Sequence, residues 1–258
     1  MNKLLKLLLL FTLSLSASDT NSSNHNFKPL YSFINTSVNY LDWSKASENK
    51  TVYEDFPYVE IEGGAGWSWG EFYGFIDIEN PTSSYSDDSS NNLRVTIKPI
   101  VDINLYENFA LHIQDYYFTS ENFYVHNLVT GFSYKYSLDY DFWIKPFAGV
   151  HYQKDTFYNG WNGYMVGWVF NYNFNIFEEK ISISQWHEIE FNRDKEYYQL
   201  DDGTPIGDGK SHAMNGAISL WWHINDNFTT GLQYRYTDNK LGYIGYLSAG
   251  IYTLKYNF

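Results

Sequence analysis

The chain is 258 residues long, has no cysteine and carries a formal charge of -13, with 17 Lys and Arg against 30 Asp and Glu. Without thiols there is no disulfide framework and no thiolate metal site, and so acidic a surface argues against binding nucleic acid through its phosphates. A mean hydropathy of -0.43 excludes a helical membrane bundle but not a β-barrel, in which only alternate residues meet lipid. Aromatic residues make up 21% of the chain, 25 of them Tyr, a usage that suits interfaces more than an ordinary core.

In chain order, the first feature is "MNKLLKLLLLFTLSLSAS". Lys3 and Lys6 precede an apolar run from Leu7 to Leu15, and the small residues Ser14, Ser16, Ala17 and Ser18 close it. This is the pattern of a secretory signal peptide cleaved near residues 16–18. The run is too short to make a good anchor helix. Residues 1–17 are read as the signal peptide and 18–258 as one domain, a length that all-β barrels reach without dividing. Loss of Lys3 and Lys6 moves the formal charge from -13 to -15.

Beyond that point no 3.6-residue period is sustained, and period-two strand signals recur instead. Strands are predicted near 30–43, 52–66, 70–79, 93–106, 109–119, 123–136, 141–154, 161–175, 180–192, 212–224, 227–237 and 245–258. In "LRVTIKPIVDINLY", Leu93, Val95, Ile97, Pro99, Val101, Ile103 and Leu105 share one face, and Arg94, Thr96, Lys98, Asp102 and Asn104 the other. Alternation of this length exceeds the five or six residues or so of a typical sandwich strand. It suffices for a tilted crossing of the hydrocarbon layer, which takes roughly ten.

The connections alternate too. Tight turns are predicted at Trp67–Gly70, Tyr106–Asn108, Ser137–Asp141, Ile176–Lys180 and Asn225–Asn227. The other set is more variable and polar, and includes "NPTSSYSDDSSNN" and "NRDKEYYQLDDGTPIGDGKSH". An even strand count, short turns on one side and long loops on the other make the asymmetry of an outer-membrane barrel. The expected fold is therefore all-β, a transmembrane antiparallel β-barrel of about twelve strands in the bacterial outer membrane. Pro57, Pro99 and Pro146 each remove a ladder donor, so bulges or breaks are expected there. In the final stretch, "SAGIYTLKYNF", Phe258, Tyr256 and Tyr252 are expected to face outward and Lys255 inward, with Phe258 and Tyr256 in the periplasmic aromatic girdle.

Alternation then selects the lumen. Its candidates are Tyr58, Glu60 and Glu62; Glu71, Tyr73, Phe75, Asp77 and Glu79; Arg94, Lys98 and Asp102; Lys145, His151 and Gln153; Ser182, Ser184, Trp186, Glu188 and Glu190; Gln233 and Arg235; and Lys255. These charges can pair and fill the barrel. Twelve strands fall between side-chain-filled barrels of eight and open porins of sixteen or more. Mixed rings and charges of both signs suit a small, neutral, flat, polar solute: rings for stacking, ionised groups for hydroxyls and base edges.

At this point "FYGFIDIENP", "LRVTIKPIVDINL", "WNGY", "ISISQWHEIEF", "YRYTD" and the final "YNF", with "SVN" at Ser37–Asn39 and "VEIE" at Val59–Glu62, resemble the Tsx-type nucleoside-specific channels of Gram-negative outer membranes, the OmpK family. The order is kept across nearly the whole mature chain. The resemblance implies a twelve-stranded, monomeric barrel, a narrow channel that passes nucleosides, no cofactor, and loops that serve phage or colicin as receptors. It places Tyr73, Phe75 and Asp77 on the aromatic-acidic lumen strand, Glu60 and Glu62 at the paired acids, Glu190 where an Asp is usual, and Arg235 at an arginine. A terminal aromatic strand also resembles the recognition signal of the outer-membrane assembly machinery.

Two other readings stand beside it. A plugged structural or receptor barrel would use its loops, in contact with outer-membrane lipid and lipopolysaccharide; the acidic Ser86-Asp87-Asp88 has no metal-motif spacing. An outer-membrane hydrolase would need a nucleophile and base. Ser211-His212 is adjacent only in a predicted loop, and His187 and Glu188 point to opposite faces, so the chain is read as no enzyme.

Overall fold

The structure, a computed structural model, describes residues 28–86, 91–138 and 141–258. The predicted signal peptide and Asp87 and Asp88 lie outside the described residues.

Thirteen strands and two single-turn helices form within the described residues. The strands are β1 (Tyr31–Trp43), β2 (Phe56–Trp67), β3 (Gly70–Glu79), β4 (Arg94–Tyr106), β5 (Phe109–Thr119), β6 (Tyr124–Tyr134), β7 (Tyr136–Ser137), β8 (Phe142–Asp155), β9 (Asn159–Ile176), β10 (Glu179–Phe191), β11 (His212–His223), β12 (Phe228–Lys240) and β13 (Tyr243–Asn257). The helices are α1 (Lys45–Glu48) and α2 (Lys195–Tyr198). Each long strand pairs antiparallel with the next. β6 pairs with β8 and β1 with β13, so twelve strands close into a ring. The two-residue β7 pairs only with β8, in the turn between β6 and β8. Closure leaves no unpaired edge for lipid to meet.

The two faces are exchanged relative to a soluble domain. On β1, outward Val38 is 61% exposed while inward Asn39 is 3% exposed; on β13, outward Leu254 is 53% exposed and inward Thr253 5%. Apolar side chains turned out and polar ones enclosed are what a hydrocarbon solvent selects. Rings gather at both rims. At the turn end, Tyr256 packs on Phe228 and Phe258 at 5.2 and 5.1 Å, with Lys255 inward, as expected. At the loop end, Tyr164 stacks on Phe191 at 5.6 Å and the hydroxyls of Tyr234 and Tyr246 lie 2.9 Å apart.

The long loops 44–55, 80–93 and 192–211 all leave one end of the barrel, as the sequence pattern requires. The remaining connections at that end, 120–123, 156–158 and 241–242, are tight. The last of these is shorter than expected, because β12 runs on to Lys240 through a bulge at Asn239, whose φ is 51°. At the other end, Phe177 and Glu178 both hold positive φ, the backbone a two-residue hairpin needs to follow strand twist.

Of the three prolines, only Pro99 shows the expected break, and none shows a bulge. Register shifts fall at Asn104/Tyr106, Val150/Tyr152 and Asp238/Lys240, none of them at a proline. Pro57, Pro99 and Pro146 stay in register with Tyr40, Gly74 and Trp168. All three are turned outward, so the ring packs in the apolar band. Only at Pro99 does the ladder to β5 lapse, between Ile97 and Ile100, where the ring removes the donor.

Two glycines shape the interior. A Cβ at Gly231 would lie 2.2 Å from the Trp221 ring, and one at Gly167 2.6 Å from the Phe147 ring. Each ring lies flat against the wall because its neighbour has no side chain.

Candidate functional site

Cross-strand register turns every predicted lumen residue inward, from Tyr58 on β2 to Lys255 on β13. They form three groups along the axis.

Near the turn end, Lys145 pairs with Asp102, and with Glu71 at 3.5 Å; Lys135 also pairs with Glu71. Asp102 Oδ1 accepts from Ser133 Oγ at 2.7 Å and lies 2.8 Å from His112 Nδ1. A cavity of about 320 Å³ opens here, lined in part by Tyr31, Glu71, Asp102, Lys135 and Lys145.

The middle of the lumen holds two constellations. Glu62 takes Lys255 at 2.7 Å, the Tyr73 hydroxyl at 2.8 Å and Asn35 Nδ2 at 3.0 Å. Its neighbours are the cross-strand partners Phe75 on β3 and, one step toward the loops, the acid pair Glu60 and Asp77. The second constellation spans the barrel. Lys98 Nζ on β4 lies 2.6 Å from Glu188 Oε1 on β10, and Gln114 Nε2 on β5 donates to the same oxygen at 2.8 Å. Four long strands separate β4 from β10 one way round and six the other. A round barrel of twelve strands, spaced about 4.8 Å and tilted about 40°, is about 24 Å across between backbones. A Lys–Glu hydrogen bond reaches across only roughly 14 Å between Cα atoms, from ordinary bond lengths. The barrel is therefore pinched at this level into a slot. Beside the bridge, the Trp186 ring carries Lys98 Nζ at 5.2 Å and the Arg235 guanidinium at 4.8 Å. Arg235 makes no hydrogen bond to any other described residue, and Asp77 Oδ1 is buried without a hydrogen-bond partner.

The loop-end group is locked. Arg94 pairs with Glu79 at 2.6 Å and lies over Phe56 at 4.5 Å. Glu190 is held by Lys240, and by Arg193 at 2.6 Å. Arg193 comes from loop 192–211 and also donates to the Asn239 carbonyl at 3.1 Å, tying the start of that loop to β12. His151 is inward but fully buried, its Nε2 3.1 Å from Asn127 Oδ1; it lies in the wall and offers no surface to a solute. Tyr58 is likewise enclosed, in an apolar cluster with Leu41, Trp43, Phe56, Leu247, Ala249 and Ile251. This cluster lies inside the barrel, where the alternation rule places polar groups, and the sequence reading had no signal for it. Gln114 and His112 were legible by alternation in "ALHIQDYYF" and belong with the site; Lys135, Arg193 and Lys240 lie where strands give way to connections and escape that rule.

Ser182 Oγ lies 2.9 Å from His223 Nε2, but the other imidazole nitrogen is 3.1 Å from Thr229 Oγ1. Among the described residues, no carboxylate takes the orienting place that the acid of a Ser-His-Asp triad holds.

Residues 38–258 match the family of nucleoside-specific channel-forming proteins, Tsx. The chain belongs to that family. Tsx-family membership fixes the barrel as an outer-membrane channel and nucleosides as its solutes. Among solved structures the chain is similar to the NanC porin, with 13% identity over 86% of this chain and 98% of that one and a TM-score of 0.51, a likeness of fold. It is also similar to an outer membrane channel from Pseudomonas putida F1, with 12% identity over 93% and 99% and a TM-score of 0.45.

Proposed function

We propose that nucleosides cross the mid-barrel slot one at a time, and that the middle group of residues holds them there. The observation that carries this reading is the Arg235 guanidinium, lying on Trp186 with its donors unspent, while the carboxylates of Asp77 and Glu60 face the same space from β3 and β2. Arginine donors match the carbonyl and ring-nitrogen edge of a base; carboxylates accept from ribose hydroxyls. Phe75 and Trp186 supply flat faces for the ring. Tyr73, Glu62 and Lys255 form a neutralised wall that keeps either charge sign from dominating. Glu71 and Asp102, tied to lysines, form the turn-end vestibule, and Lys98 and Glu188 the gate. Arg94 and Glu190, with the enclosed Tyr58 and His151, brace the loop end.

Long loops at one end and tight turns at the other support a loop end outside and a turn end in the periplasm. With that orientation, the loops are the surface open to phage or colicin, the aromatic β13 is the strand read by assembly machinery, and the chain acts as a monomer in contact with outer-membrane lipid and lipopolysaccharide.

The test is single-channel current from the refolded barrel in planar bilayers, with and without adenosine or thymidine. Saturable block by nucleosides but not by glucose is expected, and Asp77→Ala or Tyr73→Ala should alter nucleoside flux more than salt conductance. A conductance indifferent to every nucleoside overturns the assigned site. No conductance at all returns the plugged receptor barrel.

A further inference from the structure

One inner wall of the loop end is dry where an open lumen would be wet. A single strand shows the contrast. On β1, the inward rings at the turn end, Tyr31 and Phe33, are 46% and 43% exposed, while inward Leu41 and Trp43 at the loop end are each 7% exposed. Barrel interiors are ordinarily polar and meet water, so a covered indole there needs something lying over it. Wall neighbours supply part of the cover, among them Phe56, Leu247 and Tyr243. The rest comes from loop 44–55. Tyr53 packs on the same group, its ring 5.3 Å from that of Trp43. The preceding Val52 is 84% exposed, so the loop turns its ring inward and its aliphatic neighbour out.

The loop is fastened on both sides of that ring. At its start, Ser44 N–H extends the ladder to the Ser248 carbonyl at 3.0 Å. There α1 leaves the strand, and Ser47 Oγ donates to the same carbonyl at 3.0 Å and accepts from Ser248 N–H at 2.8 Å. At its end, Asp55 Oδ1 accepts from Trp43 N–H at 2.7 Å. Between these feet, the Tyr53 hydroxyl donates to the Leu241 carbonyl in the β12–β13 turn. Loop 192–211 holds the same turn, since Asp208 Oδ1 accepts from Gly242 N–H. The two long loops therefore share one anchorage.

We infer that loop 44–55 is a strap lying inside the loop-end mouth, and that Tyr53 sets the size limit for solutes entering there. A solute from that side passes between the strap and the opposite wall. With the Tyr53 ring withdrawn, the apolar group beneath it is bare to the lumen and the mouth is wider. This filter stands apart from the Lys98–Glu188 bridge, which joins β4 to β10. It does not rest on which solute the middle of the lumen holds.

The chain has no cysteine, so one introduced thiol reports on the strap. Ala249 is inward in the covered group and 1% exposed. The refolded full-length barrel carrying Ala249→Cys is treated with a small ethylammonium methanethiosulfonate or a bulky fluorescein-bearing one. The small reagent is expected to react slowly and the bulky one more slowly still. Adding Tyr53→Ala, which removes a ring contact and a hydrogen bond, should speed the bulky reagent about ten-fold or more. Tyr53→Phe keeps the ring and loses the bond, and should lie between. Phe33→Cys, at the turn end, should react at a rate that Tyr53→Ala leaves unchanged. Each variant is first checked for the heat-dependent gel shift of a folded barrel, and one folded Tyr53 variant suffices. Equal rates at Ala249→Cys with and without the Tyr53 side chain, no discrimination by size in its presence, or an equal rise at Phe33→Cys would each overturn the inference.

Discussion

Replacing Lys98 by Met tests the pinch directly. The side chain bonds Glu188 at 2.6 Å, and the two are only 12% and 11% exposed. Met keeps the length and loses the charge, so Gln114 remains the donor to Glu188 Oε1. The slot then passes from a neutral pair to one unpaired carboxylate. A unit charge about 4 Å from a permeating ion is worth about 1 kcal/mol in bulk water and about 4 kcal/mol at an effective dielectric of 20. Taking the watery limit, the cation preference rises about five-fold, since about 1.4 kcal/mol is a factor of ten. Reversal potentials in a KCl gradient across planar bilayers read this shift. Adding Glu188→Gln to Lys98→Met should restore the original selectivity while conductance stays raised, because charge returns to balance but the bridge stays broken. If neither selectivity nor conductance moves in Lys98→Met, the bridge does not bar the conducting path and the pinch argument fails.

Other perturbations read other parts of the barrel. Gly231→Val should push Trp221 off the wall, where 2.2 Å is left for a Cβ, and lower single-channel conductance with the fold retained. Gly167→Ala meets the His187 carbonyl at 2.4 Å as well as the Phe147 ring; overpacking of this kind costs about 1–3 kcal/mol, to be seen as a lower urea midpoint for unfolding. Lys255→Ala leaves Glu62 with Tyr73 and Asn35 alone, so salt current should become more cation-selective, and an unchanged reversal potential would count against a lumen position for Glu62. In loop 192–211, burial holds the Asp208 carboxyl above the ordinary Asp value, with Arg193 and Lys240 opposing. A raised value means that the folded loop binds the proton more tightly than the unfolded one. This group's contribution is therefore full below the unfolded value and fades as pH climbs through the folded one. Proteolytic nicking within 195–210 should be slower near pH 4 than at pH 7, and Asp208→Asn should flatten the difference.

The barrel was legible because its rule is short-range. Period two and the alternation of turns with loops specify twelve strands and the facing of each, and Leu93 to Leu105 reads correctly without any knowledge of neighbours. The same rule turned Glu60, Asp77, Trp186 and Arg235 inward. It could not show that Lys98 reaches Glu188, since the bridge depends on which strands stand opposite after closure and on how far the ring departs from round. It also misjudged Pro57 and Pro146, because outward position and a single lost donor are absorbed there without a bulge or break. The enclosed Leu41–Leu247–Ile251 cluster and the outward Gln185 and His187 break the alternation they sit in. Such residues carry no local sign of what they meet, whether the opposite wall or the surrounding lipid.

A coin passes a slit that stops a marble of equal volume, and then only edge-on. If the slot beside the Lys98–Glu188 bridge admits a planar solute in that attitude, two cannot travel abreast and neither can overtake. Solute waiting at the periplasmic mouth must then hold back solute arriving from outside, so the traffic in one direction depends on the crowd at the other.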